Sequence, residues 1–373
     1  MNFSKPTLNI GVVGSGFMGK THVYGYAIAD RVFDLPYKLN LISIADINSK
    51  AANSAAKKLG FQKSTADWMS LINDPELDLI SITAPNSLHK DISIAALEAN
   101  KHVYCEKPLA PTLEETQEMV KASRRSNKKT QVGFNYLSNP MFYTAKEIIA
   151  NGDLGEIISF RGIHAEDYMS DPRSPYTWRH EPLGGGVLAD LGSHILATAE
   201  FLLGPIKEVM GESITVIKKR KTTNNKTKNI KIDDISRSFV RFKSGVSGSI
   251  EANWLATGCK MKHDFEIYGT KGAIRFSQER LNELYLFSLS DKKNIQGFRK
   301  IEAGPANKPY DRFCVAPGHQ LGFNELKAIE ISNFIKSINN EIPEPFNFAS
   351  GHRIQKLVDG IHRSSKEKRW VMI

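Results

Sequence analysis

The sequence predicts an α/β fold in two parts: a doubly wound parallel sheet at the N-terminus, then an α+β domain with a large open, mainly antiparallel sheet. Three observations predict it. Apolar strand-like runs alternate strictly with helical patterns over residues 8–134, which requires a parallel sheet covered on both faces. From residue 206 to 276 strands follow one another with no helix between them, the grammar of an antiparallel sheet. A chain of 373 residues, 41% hydrophobic and 24% charged, is long enough for two cores and excludes wholesale disorder or low-complexity character. The boundary falls where the grammar changes, giving domains of residues 1–132 and 133–373.

Residues 8–13 read as the first strand and 17–30 as the first helix. A second strand at 39–45 leads into an Ala/Lys-rich amphipathic helix at 49–59, which Gly60 ends. Strand 77–83, helix 87–99, strand 101–105 and helix 113–126 follow in turn. The last helix opens on Thr112 and Glu115, the spacing of a capping box. Residues 130–134 close the series. A helix at 140–150 and a strand at 156–167 then precede a loop rich in Pro and aromatic residues, 169–183. Gly184-Gly185-Gly186 launches a helix to residue 203. Strands at 207–218, 229–242, 247–253 and 265–268 are joined by turns at Asn224-Asn225 and Gly269-Thr270-Lys271-Gly272. Helices at 323–337 and 351–365 finish the chain.

Fifty Lys+Arg against 40 Asp+Glu leave a net charge of +10. Seven of those cations (Lys218, Lys219, Arg220, Lys221, Lys226, Lys228, Lys231) fall around the Asn224-Asn225 turn with no acid among them, and read as a solvated hairpin loop. No helix-turn-helix, finger or RNA-binding aromatic motif accompanies the charge, so nucleic acid is not an expected partner. Cys105, Cys259 and Cys314 are far apart, which excludes a disulfide framework and a cysteine zinc site and fits a reducing cytoplasm. No apolar run approaches a membrane span, and residues 1–6 carry no signal peptide.

The residues that carry chemistry begin where the first strand ends. Gly14-Ser15-Gly16-Phe17-Met18-Gly19 is a G-x-G-x-x-G run between a strand and a helix, where glycines permit a tight turn and the helix N-terminus meets pyrophosphate. Asp46, ending the second strand, is either a ribose-binding carboxylate that favours NAD over NADP or an ordinary strand-end turn residue. Ala84-Pro85-Asn86-Ser87-Leu88-His89 lies at a strand's carboxyl end. There Asn86 serves as a helix N-cap or a cofactor contact, and His89 alone is more often a packing histidine. Glu106-Lys107-Pro108 follows the next strand; its lysine either stabilises alkoxide charge as an ammonium or is a surface lysine. Asp190 and His194 stand four apart on an otherwise apolar helix, as a carboxylate-oriented base or as a buried structural pair. No metal-ligand spacing occurs.

Taken together, Gly14–Gly19, Pro85-Asn86-Ser87-Leu88-His89, Glu106-Lys107-Pro108 and Gly184-Gly185-Gly186 with Asp190 and His194 resemble, in order and spacing, the glucose–fructose oxidoreductase / inositol dehydrogenase (Gfo/Idh/MocA) family. The resemblance spans essentially the whole chain, and the Glu106-Lys107-Pro108 run combined with the Asp190/His194 helix is its specific part. It implies a Rossmann domain, a substrate-binding α+β domain, and an NAD(P)-dependent oxidation, with NAD favoured by Asp46, of a secondary hydroxyl of a sugar, anhydrosugar or polyol. It also implies a homodimer or homotetramer through the C-terminal sheet. By position, Lys107, Asp190 and His194 become the catalytic trio. Gly14, Gly16, Phe17, Met18, Gly19, Asp46, Ala84, Pro85, Asn86, His89, Glu106, Lys107 and Asn135 become the cofactor contacts. Tyr136, Tyr168, Trp178, Arg179 and His180 join the trio on the substrate, each also open to a packing or capping role. The Tyr176-Thr177-Trp178-Arg179 run resembles anhydrosugar and disaccharide 3-dehydrogenase-like members. Leu137 stands where the family commonly has an arginine, so that part of the substrate preference is not carried over. A non-catalytic dinucleotide-binding regulator is the alternative on the same fold; a sensor has no need of the proton-transfer set.

Overall fold

The computed structural model describes residues 5–373; residues 1–4, within the segment read as lacking a signal peptide, lie outside the described residues. The chain forms two compact units, one of residues 1–138 and 322–353, the other of residues 139–321 and 354–373. The sequence boundary at 132/133 therefore needs correcting. Residues 322–353, read from sequence as part of the second domain, close back onto the first.

In unit 1, β1 (Thr7–Val13), α1 (Phe17–Val32), β2 (Lys38–Ala45), α2 (Ser49–Leu59), β3 (Lys63–Thr65), α3 (Trp68–Ile72), β4 (Leu79–Ile82), α4 (His89–Glu98), β5 (His102–Glu106), α5 (Leu113–Arg125) and β6 (Thr130–Gly133) follow in chain order. Among the described residues the six strands form one parallel sheet, ordered β3-β2-β1-β4-β5-β6. Ile10, Val12, Leu79, Ile80, Ile82 and Val103 have no solvent exposure, as expected of strands covered on both faces. Asn48 caps α2, Asp67 caps α3, and Thr112 with Glu115 forms the expected capping box on α5. The short β3 and α3 have too few residues to show a periodicity, and the sequence reading missed them.

Unit 2 begins with α6 (Pro140–Ala150) and β7 (Ile157–Ala165), then α7 (Ser193–Leu203) and β8 (Ile206–Ile214). A hairpin of β9 (Lys219–Lys221) and β10 (Thr227–Asn229) leads to β11 (Ile235–Phe242), β12 (Ser247–Asn253), β13 (Lys262–Gly269), β14 (Gly272–Ser277), β15 (Glu283–Ser288) and β16 (Arg299–Glu302). Then α8 (Phe323–Ile338) belongs to unit 1, α9 (Phe348–Glu367) gives its first turn to unit 1 and the rest to unit 2, and β17 (Val371–Met372) ends the chain. Among the described residues the large sheet has nine strands, ordered β16-β15-β14-β13-β7-β12-β11-β8-β17; the β7–β12 pair is parallel and the other pairs antiparallel. Along β11, Ser236, Ser238, Val240 and Phe242 are buried while Arg237, Phe239 and Arg241 are exposed, the alternation of a sheet with one face in the core. Phe142 of α6 anchors that core, its ring 5.3 Å from Phe265 and 4.8 Å from Phe276. No helix among the described residues is long and apolar enough to cross a membrane.

Candidate active site

The glycine run turns tightly from β1 into α1. Gly14 has φ +104°, and a Cβ there would stand 2.8 Å from the Thr83 carbonyl. A Cβ on Gly19 would come within 2.1 Å of the Gly14 oxygen, so only glycine lets α1 start this close to the strand. At Gly16, the N-cap of α1, a Cβ would meet nothing within 4 Å. The helix N-terminus is thus bare on the side where a diphosphate would approach its N–H groups. Asp46 follows β2 and accepts from the Ser15 N–H at 3.0 Å, the Ser15 hydroxyl at 2.5 Å and the Asn48 N–H at 3.0 Å. Partial burial works against the charge, but these donors outweigh it and hold the carboxyl below the usual carboxylate range. Phe17 is exposed and stacks on Phe323 of α8 at 5.7 Å, and Tyr136 meets Phe323 edge-on at 6.2 Å.

Other expected cofactor contacts lie beneath this surface. Asn86 and Asn135 are buried, and Asn135 Nδ2 has no hydrogen-bond partner among the described residues. His89 is 1% exposed, with Nδ1 3.0 Å from the Pro108 oxygen and Nε2 2.9 Å from the Ala84 oxygen. The ring thus lies between the Ala84 turn and the turn that carries Lys107; burial lowers its pKa, and the neutral imidazole donates to one of the two oxygens. The Lys107–Pro108 peptide is cis, and Lys107 N donates to Glu106 Oε2 at 3.3 Å.

Glu106 also points inward, into a buried charge network. Lys327 Nζ of α8 donates to Glu106 Oε1 at 2.9 Å, to Glu330 Oε2 at 2.7 Å and to the Tyr104 hydroxyl at 2.8 Å. His22 Nε2 stands 2.7 Å from Glu106 Oε1 and its Nδ1 2.6 Å from Ser81 Oγ. Burial opposes ionisation of Glu106, yet Lys327 and His22 hold its carboxyl far below the ordinary range. Burial pushes Glu330 up. His22 needs only its neutral form here, donating from Nε2 to the carboxylate and accepting from Ser81 at Nδ1. Burial, with Lys327 nearby, lowers its pKa from 6.5 to about 4.

The sign of the resulting pH dependence follows. Above pH 6.5 His22 is neutral folded and unfolded; between 6.5 and about 4 only the unfolded chain takes up the proton. Stability is therefore lost as pH drops from 6.5 to about 4, by about 1.4 kcal/mol per pH unit for this histidine. Urea midpoints at pH 7 and 5 should show a shallower pH dependence in His22→Gln than in the unchanged chain; an equal slope would place the titration elsewhere.

In unit 2 the triple glycine leads into a π-helical turn, Leu188–Gly192, before α7 begins. The single regular helix expected over this stretch is thus interrupted at Asp190, where π turns commonly mark function. Asp190 Oδ2 accepts from the Tyr168 hydroxyl at 2.6 Å and from Arg179 Nε at 2.9 Å. Burial and the Asp190 charge raise the Tyr168 phenol well above its ordinary range. The Arg179 guanidinium lies 4.4 Å from the centre of the half-exposed Trp178 ring. Four expected substrate residues therefore form one connected group: Tyr168, Trp178, Arg179 and Asp190. His194, in the first turn of α7, is buried, with its ring centre 5.6 Å from that of His164 and 6.3 Å from that of His263. His180 lies beneath this group. It is 1% exposed, its Nδ1 accepts from the Thr177 N–H at 3.0 Å, and its ring packs on Trp254 at 5.9 Å, so it props the loop from below. Among the described residues no group of three or more His, Cys, Asp or Glu is placed to hold a metal ion.

Comparison with known proteins matches this geometry to a family. The model of the Gfo/Idh/MocA oxidoreductase family, NAD-binding Rossmann fold, matches residues 8–134, and that of a GFO/IDH/MocA C-terminal domain matches residues 142–275. The chain belongs to the Gfo/Idh/MocA family. A levoglucosan dehydrogenase of Pseudarthrobacter phenanthrenivorans is 36% identical over 98% of this chain and 97% of its own length. A solved levoglucosan dehydrogenase in complex with NADH and levoglucosan superposes with a TM-score of 0.95 at 37% identity, over 98% of this chain and 99% of that one. The glucose-6-phosphate 3-dehydrogenase of Bacillus subtilis is 27% identical over 94% of both chains.

Unit 1 carries the NAD-binding Rossmann domain of this Gfo/Idh/MocA oxidoreductase, and its residues fit the dinucleotide. The helix N-terminus at Gly16 is open, the Asp46 carboxylate is charged, and Asn135 offers an unsatisfied donor. What sequence reasoning missed is the supporting set. Ser15 fixes Asp46, Lys327 and His22 fix Glu106, and Trp254, fully buried, donates from Nε1 to Asp234 at 2.8 Å beneath Tyr168 and His180. Ser15 and Glu106 are motif residues, but the roles of Lys327, His22, Trp254 and Asp234 leave no local signal.

Proposed function

We propose that this NAD-dependent dehydrogenase oxidises a secondary hydroxyl of a sugar or anhydrosugar to the ketone, with levoglucosan the first substrate to test, and that it prefers NAD to NADP. The observation that carries the reading is the Asp190 carboxylate, clamped by Tyr168 and Arg179 on the turn before His194, in a chain this similar to levoglucosan dehydrogenase. Gly14, Gly16, Phe17, Met18 and Gly19 would cradle the diphosphate, with Asp46 on the ribose and Pro85, Asn86 and Asn135 toward the nicotinamide. Bound NAD supplies the hydride acceptor. His194 takes the hydroxyl proton, Lys107 as an ammonium stabilises the developing alkoxide, and Asp190 orients the substrate hydroxyls. Trp178 presents its face to the C–H side of the ring. NADH formation over a panel of anhydrosugars, sugars and inositols tests the reading; no turnover on any of them would overturn it.

The cofactor preference follows from Asp46. A charged carboxylate bonds ribose hydroxyls but repels a 2′-phosphate, so Kd for NADPH should exceed that for NADH by at least about tenfold, ~1.4 kcal/mol. Fluorescence titration with both nucleotides measures it, and equal affinities would refute it. We also propose self-association through the outer face of the nine-stranded sheet. There Phe239, 63% exposed, pairs across strands with Met210 between the ion pairs Arg237–Glu251 and Arg241–Glu208. Sedimentation velocity reads the oligomer directly.

A further inference from the structure

We propose that the basic hairpin β9–β10 supports the sugar-side loop, and that Arg220 is a positioning residue for the sugar. The proposal rests on the sugar-dehydrogenase reading above and names a part of that site. The hairpin is not simply a solvated charge run. The six lysines in and beside it are exposed, but Arg220 is 2% exposed and spends its guanidinium on loop backbone. Nη1 donates to the Asp171 oxygen at 2.8 Å and the Ser174 oxygen at 3.2 Å, and Nη2 donates to the Met169 oxygen at 2.6 Å. Three carbonyls of one irregular segment thus converge on one planar fork, an arrangement a lysine ammonium does not span.

The rest of the hairpin holds the same segment. The Tyr176 N–H donates to the Lys221 oxygen at 2.7 Å. Lys228 Nζ lies 4.2 Å over the Tyr176 ring and 3.6 Å from Glu181 Oε1. After the hairpin, Ile230 and Ile232 enter a buried cluster with Met169, Val187, Leu191 and Trp254. The segment held this way runs between Tyr168 and Arg179, the two residues that clamp Asp190, and it carries Trp178 and Arg179. A buried guanidinium is costly unless its donors are used. Here Nη1 and Nη2 are used, with Nε left unpartnered among the described residues, to set a loop whose composition of Pro, Ser and Asp gives it no regular structure of its own.

The test compares Arg220→Met, which keeps the aliphatic stem, with Arg220→Lys and with Lys228→Ala, an exposed change that leaves the core untouched. With levoglucosan, or whichever panel sugar is turned over best, Arg220→Met should raise KM at least about tenfold while kcat falls less than about threefold. Kd for NADH should stay within about twofold, Arg220→Lys should lie between, and Lys228→Ala should raise KM about twofold. Limited trypsinolysis after Arg173, whose side chain is 89% exposed in the same segment, should quicken at least about fivefold in Arg220→Met. Unchanged KM and unchanged cleavage at Arg173 would overturn the proposal. So would a parallel loss of kcat, KM and NADH binding, the mark of general destabilisation. If the unchanged enzyme oxidises no sugar, the functional reading fails, and cleavage at Arg173 alone decides whether the hairpin holds the loop.

Discussion

Alanine in place of His194 should lower kcat for the sugar by about 10²- to 10⁴-fold, the range typical of a lost general base, while Kd for NADH stays within about twofold. The contrast is expected because the proposed function assigns the two tasks to different units. The glycine turn and Asp46 lie in unit 1, whereas His194 stands in the first turn of α7 in unit 2. The ring is buried, and the nearby His263 has its pKa lowered well below the ordinary value by burial and by His164. Removing a small ring from such a place leaves a cavity, so a melting temperature should accompany the kinetics; a loss of activity that tracks unfolding would not count. Asp190→Asn should act more on KM than His194→Ala does, since Tyr168 and Arg179 would lose the carboxylate oxygen that joins them. Steady-state kinetics with NADH titration measures both, and a kcat within tenfold of the unchanged enzyme in His194→Ala would remove His194 from the proton step.

Lys327→Met should cost about 3–5 kcal/mol, because it strips the counter-ion from two buried carboxyls. Lys327 and Glu330 are each fully enclosed or nearly so, and Glu106 stays ionised only through Lys327 and His22. In a unit of this size that corresponds to a fall in melting temperature of roughly 10 °C. Adding Glu106→Gln should restore part of the loss, since an amide needs no cation and its oxygen can still accept from His22 Nε2. Thermal melts of the single and double variants measure the coupling, and additive losses would mean that Lys327 and Glu106 do not depend on one another.

Much of the fold and the chemistry was legible in the sequence, for local reasons. The glycine turn, Asp46 at a strand end, the Thr112/Glu115 capping box and the strand alternation along β11 are each set by residues within a few positions of one another. Lys327 was not legible. It stands on an amphipathic helix like many lysines, and its partner Glu106 is 221 residues away. Arg220 was misread for a related reason: among six solvated lysines, one inward-pointing arginine leaves no periodic trace. The backbone partners of His89 and His180 come from turns whose geometry no spacing rule specifies. The π turn under Asp190 was hidden because one extra residue in a helix hardly alters an apolar pattern.

The discontinuity of unit 1 has a consequence for how the protein is made. Its sheet is complete in sequence by Gly133, but the lysine that neutralises Glu106 arrives only with α8 and the unit closes only at Arg353. During synthesis the first 138 residues must wait while the next 215, up to Arg353, emerge, roughly 10–40 s at ~5–20 residues per second. Throughout that interval the surface of the Rossmann sheet that α8 later covers is open to chaperones and to its neighbours on the same message. The N-terminal segment of unit 1 is translated first, yet the fold it begins is sealed among the last.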